Sequence, residues 1–166
     1  MSTAIPFVRD FVPRYGDAER LTPLIRRVLA RNPGPFTFAG TGTFIVGNGA
    51  SVAVIDPGPD DADHLAALLK AVEGEAVTAV LVTHGHADHL PLARPFAEAV
   101  GAPVLGHEAL APDTVLGDGD EVRGDGWTLR AVATPGHAAE HLAFALPEEN
   151  ALFSGDHVMG WSTSVV

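Results

Sequence analysis

The stretch "LVTHGHADHL", residues 81–90, places three histidines and one aspartate within six positions, directly after a run of apolar β-formers. Residues two apart in an extended chain point to the same side, so His84 and His86 can present their imidazoles to one metal ion. Asp88 and His89 lie past the strand end and can serve a second ion. Chance seldom produces His-x-His-x-Asp-His in a chain with eight histidines, so the spacing favours a metal site over a histidine-rich surface loop.

Three further polar positions also follow apolar strands. His137 stands in "TPGH" and Asp156 in "SGD", and ligands delivered from the ends of separate strands suit a rigid metal cradle. Asp56, in "VIDPG", is either a turn former or a residue that orients a ligand histidine. His141, four residues past His137, either supports a ligand or faces substrate.

The intervening sequence predicts short strands and two helices that position these residues. "DDADHLAALLKAVEG" has helical spacing of leucines after an acidic start, and on this helix we expect His64 to be solvated. A second helix is predicted over Leu92–Val100. The predicted strands are "LIRRVLA", a hairpin of Thr43–Val46 with Ser51–Ile55, Val77–Thr83, Val104–Leu105, Glu121–Arg123, Thr128–Ala133, Leu142–Leu146 and Ala151–Phe153.

Composition limits the classes of function. The 166 residues, 46% hydrophobic and 19% charged, suit a single domain with a sizeable core. Because the chain has no cysteine, any metal must bind to His, Asp and Glu. A net charge of -11 argues against broad nucleic-acid binding, which depends on Lys and Arg. No apolar run approaches the roughly 20 residues that span a bilayer, so we expect a soluble, cytoplasmic protein with no membrane partner.

Taken in order, Asp56, the 84–89 motif, His137 and Asp156 resemble the signature of the metallo-β-lactamase superfamily. "NPGPFTFAGTGTFIVG" and "TPGHAAEH" are most similar to its glyoxalase II-like group, including the lactamase-beta-2-like hydrolases and endoribonucleases. The resemblance implies an α/β (α+β) fold, the αβ/βα four-layer sandwich. It implies further that residues 1–166 are a single incomplete domain, truncated to about its first half to two-thirds.

The resemblance also implies a ligand set. His84, His86 and His137 would bind the first metal and Asp88 and His89 the second, with Asp156 bridging both. Two zinc ions are expected in the complete protein, with iron or manganese as alternatives. The family pattern completes its second site with a further histidine well downstream of Asp156. None follows His157 here, so we expect the first metal to bind more tightly than the second.

The implied function is a metal-dependent hydrolase in which a metal-bound hydroxide attacks an ester, thioester, lactone or phosphodiester, with Asp88 orienting that hydroxide. The acidity of the chain favours a small-molecule ester or thioester over RNA. Two alternatives stay open: a mononuclear iron oxidoreductase of the persulfide dioxygenase type, and a catalytically impaired metal-binding fragment lacking the last ligand. A missing C-terminal half or a second copy of the chain, as a homo-oligomer, would complete the domain.

Overall fold

The computed structural model describes residues 7–165, in which eleven β-strands form two sheets. The larger sheet has seven strands in chain order. They are β1 (Ala18–Arg20), β2 (Ile25–Leu29), β3 (Gly42–Asn48), β4 (Ser51–Ile55), β5 (Val77–Leu81), β6 (Val104–Gly106) and β7 (Thr114–Val115). Strands β1 to β4 are antiparallel and β4 to β7 are parallel, so the carboxyl ends of β4, β5 and β6 meet at one edge.

Two α-helices make the crossovers between parallel strands. Helix α1 (Ala62–Ala71) connects β4 with β5, and α2 (Ala93–Val100) connects β5 with β6. The side chain of Asp61 accepts hydrogen bonds from the amides of Asp63 and His64, which fixes the start of α1. Neither helix is long and apolar enough to cross a membrane within the described range.

The smaller sheet is antiparallel, in the order β11-β10-β9-β8. Its strands are β8 (Glu121–Gly124), β9 (Trp127–Ala133), β10 (Leu142–Leu146) and β11 (Ala151–Phe153). Three short 3₁₀ turns follow strands at Glu108–Leu110, Pro147–Glu149 and Gly155–His157.

The described residues build three layers: helices, large sheet and small sheet. One core fills the space between the sheets and includes Ile55, Leu81, Leu129, Leu142 and Phe144. The other lies between the large sheet and the helices and includes Val54, Val80, Leu68 and Phe96. Because β4 is covered on both faces, all five of its residues are buried, which explains its unbroken apolar sequence.

Trp127 joins the two sheets. Its indole is 2% exposed, and Nε1 donates a hydrogen bond to the carbonyl oxygen of Ser51 on β4 at 3.0 Å. Two glycines leave room for the ring, since a Cβ at Gly124 would lie 2.1 Å from the indole and one at Gly47 would lie 2.4 Å away. The sheet-to-sheet packing therefore depends on these glycines.

The predicted α/β class is confirmed, and each predicted helix and strand is present with small differences in length. The short strands β1 and β7 were not predicted. The prediction for His64 is wrong, because this side chain is 4% exposed. It stands four residues before the buried Leu68, on the face of α1 that packs against the sheet.

Candidate metal centre

The 84–89 motif follows β5 at the carboxyl edge of the large sheet. His84 is fully buried, His86 is exposed and Asp88 is partly buried. The amides of His89 and Leu90 donate to the carbonyl oxygen of His86 at 3.0 and 3.1 Å, which closes a tight turn. This turn brings Asp88 and His89 back beside the strand end that carries the first two histidines.

His137 and Asp156 come from the small sheet. His137 lies in the loop between β9 and β10, and Asp156 lies in the 3₁₀ turn after β11. Gly155 adopts φ 48°, and a Cβ there would lie 2.6 Å from Nε2 of His141, so this turn requires glycine. The two sheets thus present their polar residues to one another at the same end of the core.

The structure brings all six predicted ligands together in two groups, each with donor atoms within 4.8 Å of one another. The groups are His84, His86, His137 and Asp156, and Asp88, His89 and Asp156. Asp156 belongs to both. Its Oδ1 lies 3.4 Å from Nε2 of His89, and its Oδ2 lies 3.4 Å from Nε2 of His137. One oxygen of the carboxylate therefore faces each group.

Hydrogen bonds set the tautomers of two histidines of the first group, so that Nδ1 carries the proton and Nε2 carries the lone pair. The hydroxyl of Thr83 donates to Asp56, so Nδ1 of His84 donates to Thr83 at 2.9 Å. In the same way, Nδ1 of His137 donates to the carbonyl oxygen of Val165 at 2.9 Å. A lone pair on Nε2 is the form of imidazole that binds a metal ion.

His84 provides the clearest fit to a metal ion. Its Nε2 is buried and has no hydrogen-bond partner among the described residues. Burial lowers the pKa of His84 to about 4, and the nearby His89 contributes to the decrease, so the ring is neutral at pH 7. A buried, neutral nitrogen without a partner is costly unless an electron-pair acceptor sits in front of it.

Asp56 occupies the position from which it can orient a ligand histidine. Its carboxylate is 3% exposed and accepts hydrogen bonds from the amide and hydroxyl of Thr83 at 2.8 and 2.7 Å. It also accepts a bond from Nδ1 of His89 at 2.8 Å. The residue has φ 51°, a left-handed conformation that an aspartate adopts at a cost. The carboxylate therefore fixes the ring of His89 and the start of the 84–89 motif together.

The second group concentrates negative charge around one imidazole. Burial alone would lower the pKa of His89, but the carboxylates of Asp56, Asp156 and Asp88 raise it well above its ordinary value. Burial would raise the pKa of Asp88, yet hydrogen bonds with His89 and Thr41 hold it well below its usual range. The group thus places ionised carboxylates around one imidazole, a charge distribution that suits a bound cation.

His141 lies beside the first group without belonging to it. Its ring stacks on that of His84 with centroids 4.9 Å apart, and its Nδ1 lies 2.8 Å from the hydroxyl of Thr134. Burial lowers the pKa of His141 to about 4, and its buried Nε2 has no partner in the described range. The ring supports His84 by packing against it.

The sequence interpretation missed two threonines that position Asp88 and Asp56 through hydrogen bonds. Thr41 donates to Oδ2 of Asp88 at 2.8 Å, and Thr43 donates to the carbonyl oxygen of Asp56 at 2.7 Å. Since that hydroxyl donates to a carbonyl, Nε2 of His64 donates to Thr43 at 3.0 Å. The one available signal was "GTGT", two threonines with period two at the start of a strand.

The chain matches known proteins along most of its length. It is 36% identical to the lactamase-like protein adaB of Aspergillus niger, over all of this chain and 57% of the relative. It is 38% identical to the atrochrysone carboxyl ACP thioesterase dmxR1 of Cryptosporiopsis sp., over 93% of this chain and 50% of the relative. The chain therefore spans about half the length of the curated relatives it matches.

The fold has solved counterparts. A beta-lactamase domain protein from Burkholderia ambifaria superposes with a TM-score of 0.75 at 23% identity, over 93% of this chain and 60% of that one. Residues 37–112 and 108–163 match the family model described as the metallo-beta-lactamase superfamily. With two sheets, a helical layer and the ordered histidine and aspartate motifs in place, the chain belongs to the metallo-β-lactamase superfamily, as the sequence predicted.

Proposed function

We propose that this chain is part of a metal-dependent hydrolase that cleaves thioesters at the two donor groups. The observation that carries the proposal is the position of the Asp156 carboxylate, which directs one oxygen at each group. Divalent ions bound at the two groups would activate a water near neutral pH and would stabilise the oxyanion formed in acyl transfer. Nitrogen and carboxylate donors suit zinc, and they also accept iron or manganese.

Asp88 has the position and charge to orient the attacking water. Its Oδ2 is held by the hydroxyl of Thr41 at 2.8 Å and lies 3.3 Å from Nε2 of His89. Its lowered pKa keeps the carboxylate ionised, so it can accept a hydrogen bond from water. The water oxygen bonds to the thioester carbonyl carbon, the carbon–sulfur bond breaks, and the products are a carboxylic acid and a thiol.

Charge favours a carbonyl substrate over a phosphodiester. The chain carries a net charge of -11, and Asp56, Asp88 and Asp156 surround His89 of the second group. A polyanion such as RNA gains little from this surface. A thioester is neutral at the reacting carbonyl, and one matched relative is named as an acyl carrier protein thioesterase. Oxygen esters and lactones share that carbonyl and form the next substrates to test.

The second donor group argues against a one-ion oxidoreductase. Asp88 is held by Thr41, and His89 is held by Asp56, so this group has a supporting shell of its own. The arrangement therefore supports a two-metal hydrolase over the mononuclear alternative.

The test combines metal analysis with turnover. The purified chain, loaded with zinc, is expected to hydrolyse an acyl thioester, and His86→Ala should lose both turnover and the metal of the first group. His107→Ala is the matched control, because His107 caps a 3₁₀ turn and belongs to neither group.

Two results would contradict the proposal. Iron as the single bound metal, with oxygen consumption and no hydrolysis, would identify an oxidoreductase. Two bound zinc ions without turnover of thioesters, esters, lactones or phosphodiesters would identify a metal-binding fragment.

A further inference from the structure

A cavity of about 340 Å³ opens beside the second donor group. Asp88, His89 and Asp156 line one end, together with Thr41 and Thr83. This volume is within the range of roughly 300–1,000 Å³ found for small-molecule sites in proteins. A molecule in the cavity would therefore place one end at the proposed catalytic centre.

Aromatic side chains line the rest of this cavity. Five of the eight phenylalanines of the chain are among its walls, together with Trp161. The rings of Phe38 and Trp161 stack with centroids 5.4 Å apart and planes 13° apart. Phe44 and Phe153 form a tilted pair at 5.2 Å. We call this space, lined by Phe11, Phe36, Phe38, Phe44, Phe153 and Trp161, the aromatic cavity.

The mouth of the aromatic cavity exposes apolar surface. Phe36 is 79% exposed, Val158 is 60% exposed and Leu152 is 54% exposed. Clustered exposure of large apolar side chains is unfavourable in water and marks binding surfaces. Phe38 adopts φ 54°, a conformation that costs a bulky residue roughly 1 kcal/mol or more. The chain holds this ring in place at the expense of local strain.

The charges around the aromatic cavity exclude an anionic occupant of its apolar part. Among the described residues that line it, Arg27 is the only lysine or arginine. Its Nη2 binds Oε2 of Glu19 at 2.6 Å, and its guanidinium lies 4.7 Å from the centre of the Phe11 ring. The cation is therefore already neutralised, and the other charged side chains of the lining belong to the metal centre or support it.

We propose that the aromatic cavity binds a planar aryl acyl group and so selects aryl thioesters as substrates. A flat ring gains from stacking on Phe38 and Trp161 and covers the exposed apolar mouth. The thioester carbonyl then lies at the end formed by Asp88 and Asp156. This assignment rests on the proposed hydrolase function and adds to it the class of the acyl group.

The first test is binding, which needs no turnover. 2-Naphthoate, the acid product of an aryl thioester, is titrated into the metal-loaded chain with tryptophan fluorescence and calorimetry as readouts. Phe38→Leu keeps an apolar side chain but removes the ring, and it should weaken binding by about 3- to 10-fold. Phe7→Leu is the matched control, because Phe7 does not line the cavity. Trp161→Phe should retain binding that Trp161→Leu loses.

The second test is selectivity in turnover. The naphthoyl thioester of N-acetylcysteamine should have a higher kcat/KM than the acetyl thioester, and Phe38→Leu should raise KM for the naphthoyl thioester more than KM for the acetyl thioester. Equal turnover of both thioesters, unaffected by Phe38→Leu, would overturn the aryl assignment and leave the hydrolase function intact. Naphthoate binding that depends on Phe38, without turnover of either thioester, would overturn the hydrolase function and support the cavity.

A third outcome concerns a different occupant. If naphthoate does not bind, and Phe36→Ser converts a dimer into a monomer by light scattering, a second copy of the chain covers the mouth. That result would also overturn the aryl assignment.

Discussion

Replacing Thr43 by valine should lower the free energy of unfolding by about 2–6 kcal/mol, although the two side chains have nearly the same volume. Thr43 is fully buried, and its hydroxyl donates to the carbonyl oxygen of Asp56 and accepts from Nε2 of His64. Valine removes the hydroxyl and leaves both partners buried without their bond. Each such group costs about 1–3 kcal/mol, which gives the expected total.

Two further substitutions distinguish the effect of losing the hydroxyl group from the effect of changing the shape of the side chain. Thr43→Ser keeps both hydrogen bonds and loses one methyl group, for an expected cost of about 1 kcal/mol. Thr114→Val removes a hydroxyl from an exposed position on β7 and should change stability by less than about 0.5 kcal/mol.

The assay is urea unfolding at pH 7.5, followed by circular dichroism with and without added zinc. Because Thr43 holds the backbone of the residue that orients His89, the valine variant should also bind its second metal equivalent more weakly. A loss of stability below 1 kcal/mol for the valine variant, or equal losses for valine and serine, would refute this reasoning.

Three other outcomes are expected. Gly124→Ala should cost about 1–3 kcal/mol in urea unfolding because the new Cβ meets Trp127, whereas Gly117→Ala has 3.7 Å of room and should cost less. Burial lowers the pKa of His64, although Asp61 acts in the opposite direction. The pKa of His64 is therefore lower in the folded than in the unfolded state, and the free energy of unfolding should decrease as the pH falls below about 6.5. His64→Gln should make that decrease shallower, and an unchanged slope between pH 7 and 5 would contradict the assignment. Stepwise chelation followed by elemental analysis should remove one metal equivalent first, because one donor group offers four side chains and the other three; simultaneous loss of both would count against this difference.

The sequence predicted the helices and strands that are defined by the spacing of nearby apolar residues. Val77–Leu81 is an apolar run, the leucines of α1 recur at helical spacing, and the hairpin of β3 and β4 has a glycine-rich turn. The clustering of the predicted metal ligands could also be foreseen, because each stands just past an apolar strand and the spacing of the motif is unusual. Strands β1 and β7 were missed, since they are short, largely exposed and defined only by their pairing partners.

Contacts between residues far apart in the chain could not be predicted from local sequence patterns. The bond between Thr41 and Asp88 joins residues 47 apart, and nothing near Thr41 indicates its partner. His64 was misread because acidic neighbours suggested an exposed helix start, although Leu68 on the same face indicated burial. The aromatic cavity draws Phe11, Phe38 and Trp161 from distant parts of the chain, so only the folded structure reveals it.

The predicted metal ligands come from both sheets, so a bound ion would connect the two sheets and stabilise the fold. His86 and His137 are 51 residues apart in a chain without cysteine, and they meet at the same group. An ion bound there closes that loop in the manner of a disulfide, for which loop entropy predicts about 4 kcal/mol of stabilisation. The centre would then act as a reversible cross-link between the sheets, and metal depletion would lower the free energy of unfolding of the whole molecule.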